Sequence, residues 1–498
     1  MPVAAALPPA RPPRLQHSSP EADEADEAWL AAFRTHIADV PALLAGDGGT
    51  PARASARLRS LVASRALLLT DLRDAPARFF AAHHQLSRFA TRLGPGFGIR
   101  FTVQYNLFAG TVLALGSSEH LQLLERIQEA GGLGCFGLTE KFAGVNSGLV
   151  VETECTWDEA SKGFILHSPY EGAVKNWISQ GCTADWAVVV ANLLMGGKSL
   201  GAHAFLMRLR SPDGQLTSGV TLGDMGQKTI GNDLDNAWIK FNRVALPKAA
   251  LLNKYCDILD GRYVQKQRDV PNIDMIGQRL YTGRLVIADS AITFAQSLFE
   301  HTREYSDRKE CWAPSGRVSL SSIPQLKALY QEAEERLAEM ADFLEILQAE
   351  MGPLLREGRT PSRATVDCIA AAKVQCIETA IELCFRLKQE VGSFALMAGT
   401  GFEKMDYLQC CKFAEGDSRI LMQKLARDRM AAFRKAPGQG TQQELRLCGA
   451  LAAALKAGGA EAWNTKWATV YELADAVIKR IILDRQQQGA SVQLCAKL

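Results

Sequence analysis

The chain has no CxxC pair, no HxxxH or HExxH motif and no run of 18 apolar residues, and each absence removes a class of protein. Its 12 cysteines stand singly except for Cys410-Cys411, so neither a disulfide scaffold nor a zinc site is expected and they are read as reduced thiols. Among the eight histidines only His83-His84 are neighbours, and two adjacent rings diverge on a helix, so no metal site is expected. The best apolar stretch, Ala184 to Met195, contains Asp185 and Asn192 and falls short of a spanning helix. An excess of one charge is lacking too. With 56 Lys+Arg against 54 Asp+Glu the net charge is +2, which leaves no field to hold nucleic acid or coat an anionic membrane. The βαβ alternation and glycine fingerprint of a nicotinamide-binding fold are missing. Gly197-Lys198-Ser199 imitates the end of a phosphate-binding loop, but Asn192 stands where the loop glycine belongs, so a hairpin turn is expected.

What is present is enough apolar material, 47% of 498 residues, for more than one structural unit. Residues 1–25 are Pro-rich and then acidic, which predicts a disordered lead-in. From 26 to 134 apolar residues recur at three- and four-residue spacing, the signature of helices. From 135 to 270 the texture turns to β-branched and aromatic runs broken by turns, predicting antiparallel strands. Helical periodicity returns over 271–436 in segments long enough for a bundle, and two further helices are predicted within 437–488, divided at Gly458-Gly459. Residues 489–498 are read as a flexible tail. Its last three, Ala496, Lys497 and Leu498, resemble the peroxisomal SKL address, which implies an import receptor as partner and the peroxisome as destination. The fold class is α+β, with helices, then sheet, then helices.

From Tyr105 to Tyr263 the segments YNLFAGTVLALGS, LGCFGLTE, FILHSPYEGAVKNWI, GAHAFLMRLR and GVTLGDMGQKTIGNDLDNAWIKFNRVALPKAALLNKY follow one another in an order similar to that of the acyl-CoA oxidases, a branch of the acyl-CoA dehydrogenase superfamily. The resemblance implies an N-terminal helical domain, a central antiparallel β-barrel and a C-terminal helical bundle, with FAD held where barrel and bundle meet. It implies a homodimer that converts acyl-CoA to trans-2-enoyl-CoA while molecular oxygen is reduced to hydrogen peroxide, the fatty-acid β-oxidation type of reaction. Relatives of this kind usually carry a longer C-terminal helical region than the one seen here.

By the same resemblance Thr139, in Gly137-Leu138-Thr139-Glu140, offers its hydroxyl to the flavin, and Trp177 and Ser179 place a ring and a hydroxyl beside it. Arg308 pairs with the FAD pyrophosphate across a subunit interface, a task that suits a planar fork of donors. Gly399 and Gly401 let the backbone approach the adenosine end of the cofactor, and the loop containing Phe142 and Ser147 lies near substrate. The base that takes the α-proton is Glu415, followed by Gly416; Glu403 and Asp417 are the alternatives. A carboxylate facing an apolar pocket loses hydration and becomes a stronger base. Some dehydrogenases supply the base from the first long bundle helix instead, where this chain has Gly283. Two other readings stay open: a dehydrogenase that passes electrons to a protein acceptor, and an inactive CoA-ester-binding homologue or partner subunit.

Overall fold

A computed structural model describes residues 26–37, 49–88, 96–144, 150–266 and 272–495. The lead-in 1–25, Ser147 and the tripeptide Ala496, Lys497 and Leu498 lie outside the described residues.

The helical first third comprises α1 (26–37), α2 (Pro51–Ser64), α3 (Asp71–Asp74), α4 (Pro76–Arg88), α5 (Gly96–Thr102), a π-helical segment (Val103–Phe108), α6 (Ala109–Leu115) and α7 (Ser118–Glu129). Helix α2 starts where the sequence supplies a stop and a start together: the Arg53 amide donates to Thr50 Oγ1 at 3.3 Å, and Pro51 needs no amide partner at the first helical position.

Among the described residues eleven strands follow: β1 (Gly134–Gly137), β2 (Glu154–Asp158), β3 (Gly163–His167), β4 (Lys175–Ser179), β5 (Trp186–Met195), β6 (Lys198–Arg208), β7 (Val220–Asp224), β8 (Asn236–Phe241), β9 (Val244–Pro247) and the hairpin β10 (Cys256–Leu259) and β11 (Arg262–Gln265). One sheet runs β1-β5-β2-β3-β9 with β6 on β5, and a second runs β4-β8-β7. The β5–β6 hairpin turns through Gly196 and Gly197, both at positive φ, so the lysine and serine after them belong to a hairpin. Most ladders are antiparallel, but β1 and β2 both pair with β5 in parallel. Strand direction depends on how the chain returns between strands, which the side-chain pattern does not encode. Strand β5 is buried on both faces: Val188 and Val190 join the helical core, while Val189, Ala191 and Leu193 join a second core inside the sheets. That is why WAVVVANLL reads as continuous rather than alternating.

The bundle consists of α8 (Asn272–Arg308), α9 (Pro324–Glu357) and α10 (Arg363–Glu390), packed on one another and, through α8, on α4. Then come α11 (Asp406–Phe413), α12 (Ser418–Lys435), α13 (Gln442–Gly458), α14 (Glu461–Thr465) and α15 (Trp467–Cys495), with α15 lying against α10, α12 and α13. The C-terminal region therefore holds three helices where two were predicted, and the backbone of α15 continues through Cys495 over residues read as a flexible tail. The tail's polarity is the signal for flexibility, yet its Ala490 and Gln493 and the Arg485 and glutamines just before it favour helix, and Gly489 alone is too weak a breaker. Among the described residues no helix is long and apolar enough to cross a membrane, and no group of His, Cys, Asp or Glu is placed to hold a metal ion.

The first helices and the sheets are locked by Arg100, whose side chain is fully buried. It donates to Asp235 Oδ1 at 2.7 Å, the Asp233 carbonyl at 3.0 Å, Thr183 Oγ1 at 2.7 Å and Gln180 Oε1 at 3.2 Å. Replacing Arg100 with Met should strand the Asp235 carboxylate in the interior. A loss of roughly 3–5 kcal/mol is expected, read as a fall of several degrees in melting temperature.

Candidate active site

Helix α11 ends at Phe413, and a three-residue turn precedes α12, which Asp417 caps by accepting the Arg419 amide at 2.7 Å. Within this turn Glu415 and Gly416 both have left-handed backbone, with φ of +57° and +94°. A glutamate there costs roughly 1–2 kcal/mol, so the turn must be held from outside. Two cations hold it: Arg284 Nε donates to the Glu415 carbonyl at 3.0 Å, and Lys373 Nζ donates to the carbonyls of Lys412 at 2.7 Å and Gly416 at 2.6 Å.

The effect is to send the Glu415 side chain inward, over α8. A Cβ added to Gly283 would lie 2.3 Å from both Cδ and Oε2 of Glu415, and 2.8 Å from Nδ2 of Asn106. The helix can carry this carboxyl only because residue 283 has no side chain. Asn106 belongs to the π-helical segment, a wide turn often found at functional sites, and its Oδ1 accepts from Thr282 Oγ1 at 2.6 Å. Glu415 is buried and its Oε2 makes no hydrogen bond. Burial pushes the carboxyl up from its ordinary value to about 8, against the opposing pull of Arg284 and Lys373. Burial also lowers the Lys373 ammonium to about 7, assisted by repulsion from Arg284.

On the sheet side Thr139 follows β1 with its side chain exposed, and its carbonyl accepts the Asn176 amide at 2.9 Å, which sets it beside the Trp177 segment. Beneath them is a fully buried ion pair. Lys175 Nζ lies 2.7 Å from Glu140 Oε1, and the same carboxylate accepts from the Glu152 and Thr153 amides and the Thr153 hydroxyl, each at 2.8 Å. The β4–β8 ladder shifts register between Lys175 and Ile178, and Trp177 there has φ +57° and a ring 53% exposed. Asn236 Nδ2 donates to Ser179 Oγ at 3.1 Å. Thr139, Trp177 and Ser179 thus form one ledge, with Thr139 and Trp177 exposed and Ser179 partly so. That ledge fits the polar edge and face of an isoalloxazine.

The π-helical segment connects ledge and carboxyl. Gln104 accepts the Gly134 amide at 2.8 Å and the Gln180 amide at 3.3 Å, while Asn106, two residues on, lies against Gly283 and Thr282. Four of the expected residues, Arg308, Gly399, Gly401 and Phe142, are not gathered here. Arg308 ends α8, exposed, with Nε donating to the Glu304 carbonyl at 2.9 Å. Gly399 and Gly401 have the positive φ that a close backbone approach needs, but their amides donate to Glu403 at 3.2 and 2.9 Å, so these donors are engaged within the chain. Phe142 is exposed and packs edge-on against Tyr170 across Gly172. Both alternative bases have structural tasks: Glu403 holds the glycine turn and Asp417 caps α12.

No protein-family model matches the chain. It is similar to an acyl-coenzyme A oxidase of Eremothecium gossypii, 28% identical over 363 residues that make up 67% of this chain and 49% of that one. Human peroxisomal acyl-coenzyme A oxidase 3 is 38% identical over 168 residues, 33% of this chain and 24% of that one. Among solved structures, acyl-CoA oxidase-2 of Caenorhabditis elegans, with FAD, ascaroside-CoA and ATP bound, superposes with a TM-score of 0.74 at 18% identity, covering 96% of this chain and 81% of that one. The chain is similar in sequence to acyl-CoA oxidases and shares the fold of the solved ones. It spans about half the length of the curated acyl-CoA oxidases it matches over most of its own length.

The site also contains residues that sequence reasoning passed over. Lys373 interrupts the apolar helix segment IAAAKVQCI, a visible signal of a buried polar task. Asn106, Thr282 and Arg284 lay inside segments already singled out, but nothing in their spacing assigns them to one site. Gly283→Ala should destabilise by about 1–3 kcal/mol through the clash with Glu415. Adding Glu415→Ala should recover part of that loss, so the double variant melts above Gly283→Ala alone; additive losses would separate the two positions.

Proposed function

We propose that this chain oxidises acyl-CoA to trans-2-enoyl-CoA as an FAD-dependent, peroxisomal oxidase, with Glu415 removing the α-proton. The observation that carries the reading is the buried carboxyl of Glu415, unpaired at Oε2, raised to about 8 and set directly over Gly283. In this account the C2–H bond breaks heterolytically, the proton goes to a Glu415 oxygen and the β-hydrogen departs with its electron pair. FAD, held at Thr139, Trp177 and Ser179, would supply the acceptor for that hydride and pass the electrons to oxygen as peroxide.

The chain's own residues do the rest. An enolate-like charge needs a base whose pKa lies near that of the activated carbon acid, and burial supplies it. Arg284 and Lys373 fix the direction of the carboxyl by gripping the backbone on either side of it, and Asn106 closes the adjoining wall. The Oε2 atom of Glu415 is shut off from solvent. By resemblance, the loop that carries Phe142 and Ser147 would stand on the substrate side. Arg308 is exposed, with Nε donating to a carbonyl of its own helix, which supports a homodimer in which it would reach a partner's cofactor. The peroxisomal destination is supported by relatives named peroxisomal in human and Arabidopsis thaliana.

A second reading, a CoA-ester-binding homologue with weak flavin affinity, is favoured by Glu403, which occupies the amides of Gly399 and Gly401. A colourless but folded preparation would support it. The deciding experiment is an anaerobic absorbance titration with a panel of acyl-CoAs. The flavin bands should bleach in the wild type, at a rate that rises with pH toward a midpoint near 8 because only the ionised Glu415 accepts a proton. Glu415→Gln should stay yellow and bleach at least about a thousandfold more slowly. Undiminished bleaching in that variant would move the base elsewhere.

A further inference from the structure

Lys373 is a lysine where the helix pattern calls for an apolar residue. It lies midway along α10, its side chain is fully buried, and Ala370, Ala371, Ala372 and Val374 around it are buried as well. An ammonium in such a place is costly unless every donor is used. Here all three find acceptors in one short stretch of chain: the Lys412 carbonyl at 2.7 Å, the Gly416 carbonyl at 2.6 Å and, more distantly, Ser418 Oγ at 3.4 Å. Lys412 is in the last turn of α11, whose final carbonyls lack helical partners, and Ser418 opens α12. The lysine therefore ties together the two helices that flank Glu415 and spans the left-handed pair Glu415 and Gly416.

We propose that Lys373 is a positioning residue for the base: its ammonium clamps the 412–418 turn so that the Glu415 carboxyl stands over Gly283, and its charge sets how readily that carboxyl ionises. This inference rests on Glu415 acting as the base. The charged and titratable groups facing the ammonium are Arg284 from α8, Cys411 from α11 and Glu415 and Asp417 from the turn. Arg284 contributes a second donor to the same turn but grips only the Glu415 carbonyl, so it fixes one point where Lys373 fixes two. The two groups titrate as a pair, because an ionising Glu415 favours the charged lysine and the charged lysine favours the ionised carboxyl, so loss of the lysine charge moves the carboxyl titration upward; loss of the donors frees the turn to relax toward right-handed backbone.

The test compares anaerobic flavin bleaching by acyl-CoA across pH in the wild type, Lys373→Gln and Lys373→Arg. Lys373→Gln keeps donors but no charge, and its midpoint should move to higher pH by about one unit, with a rate at pH 7 lower by about tenfold. Lys373→Arg keeps the charge and should hold the midpoint within half a unit of wild type. A folded, yellow Lys373→Gln enzyme with an unmoved midpoint would overturn the proposal, since a merely structural lysine changes stability and not the titration of the base. If Lys373→Gln does not fold, Lys373→Met, which also removes the charge, is read in the same way: a midpoint moved up by about one unit upholds the role of the charge and an unmoved one overturns it. Failure of both variants to fold would reduce Lys373 to a core-stabilising residue. A wild type that does not bleach with any acyl-CoA would sink the oxidase reading instead, so the two failures are distinguishable.

Discussion

A carboxyl group with one unpaired oxygen, pressed against a helix that has no side chain at that point, is the constraint around which this molecule is arranged. Gly283 and Glu415 come from segments 132 positions apart in sequence, and their contact fixes how α8 meets the α11–α12 turn. Buried polar atoms without partners are uncommon because each forfeits hydration. The cost is met by the cations that grip the turn backbone and leave the carboxyl itself unbridged. A direct salt bridge would hold Glu415 ionised and weakly basic, whereas cations kept on the backbone let burial dominate.

The same arrangement explains the π-helical segment. A regular α-helix over Val103–Phe108 would rotate Gln104 and Asn106 away from their present partners; the wider turn lets one residue reach the start of β1 and the other reach Thr282 and Gly283. Through Arg100, Gln104 and Gln180 the ledge of Thr139, Trp177 and Ser179 is tied to the helices that carry the carboxyl. The positive φ of Trp177 and Gln180 belongs to this joint, where the strand must kink to present a ring outward.

Much of this was legible in the sequence, and the reasons differ by element. The long helices announce themselves because apolar residues such as Leu337, Met340, Leu344 and Leu347 recur at helical spacing in α9 and are all buried. The helix–sheet–helix order follows from texture alone. The parallel pairing of β1 and β2 with β5 was not legible, since both strand directions show the same alternation. Glu415 could be nominated from family resemblance, but its environment could not, because Gly283, Asn106 and Lys373 are scattered over more than 260 positions and only folding brings them together. The resemblance marked Gly399 and Gly401 without their neighbour's effect: Glu403, two residues past the second glycine, folds back and takes their amides.

The central claim is that Glu415 is a buried, predominantly protonated carboxyl at neutral pH whose titration is governed by desolvation. Infrared difference spectroscopy of wild type against Glu415→Gln, followed as pH is raised, measures this directly. A protonated-carboxyl band present in the wild type at pH 7, absent from the variant and lost with a midpoint near 8 is the predicted result. A band already gone by about pH 5, the behaviour of an ordinary solvated glutamate, would contradict the account.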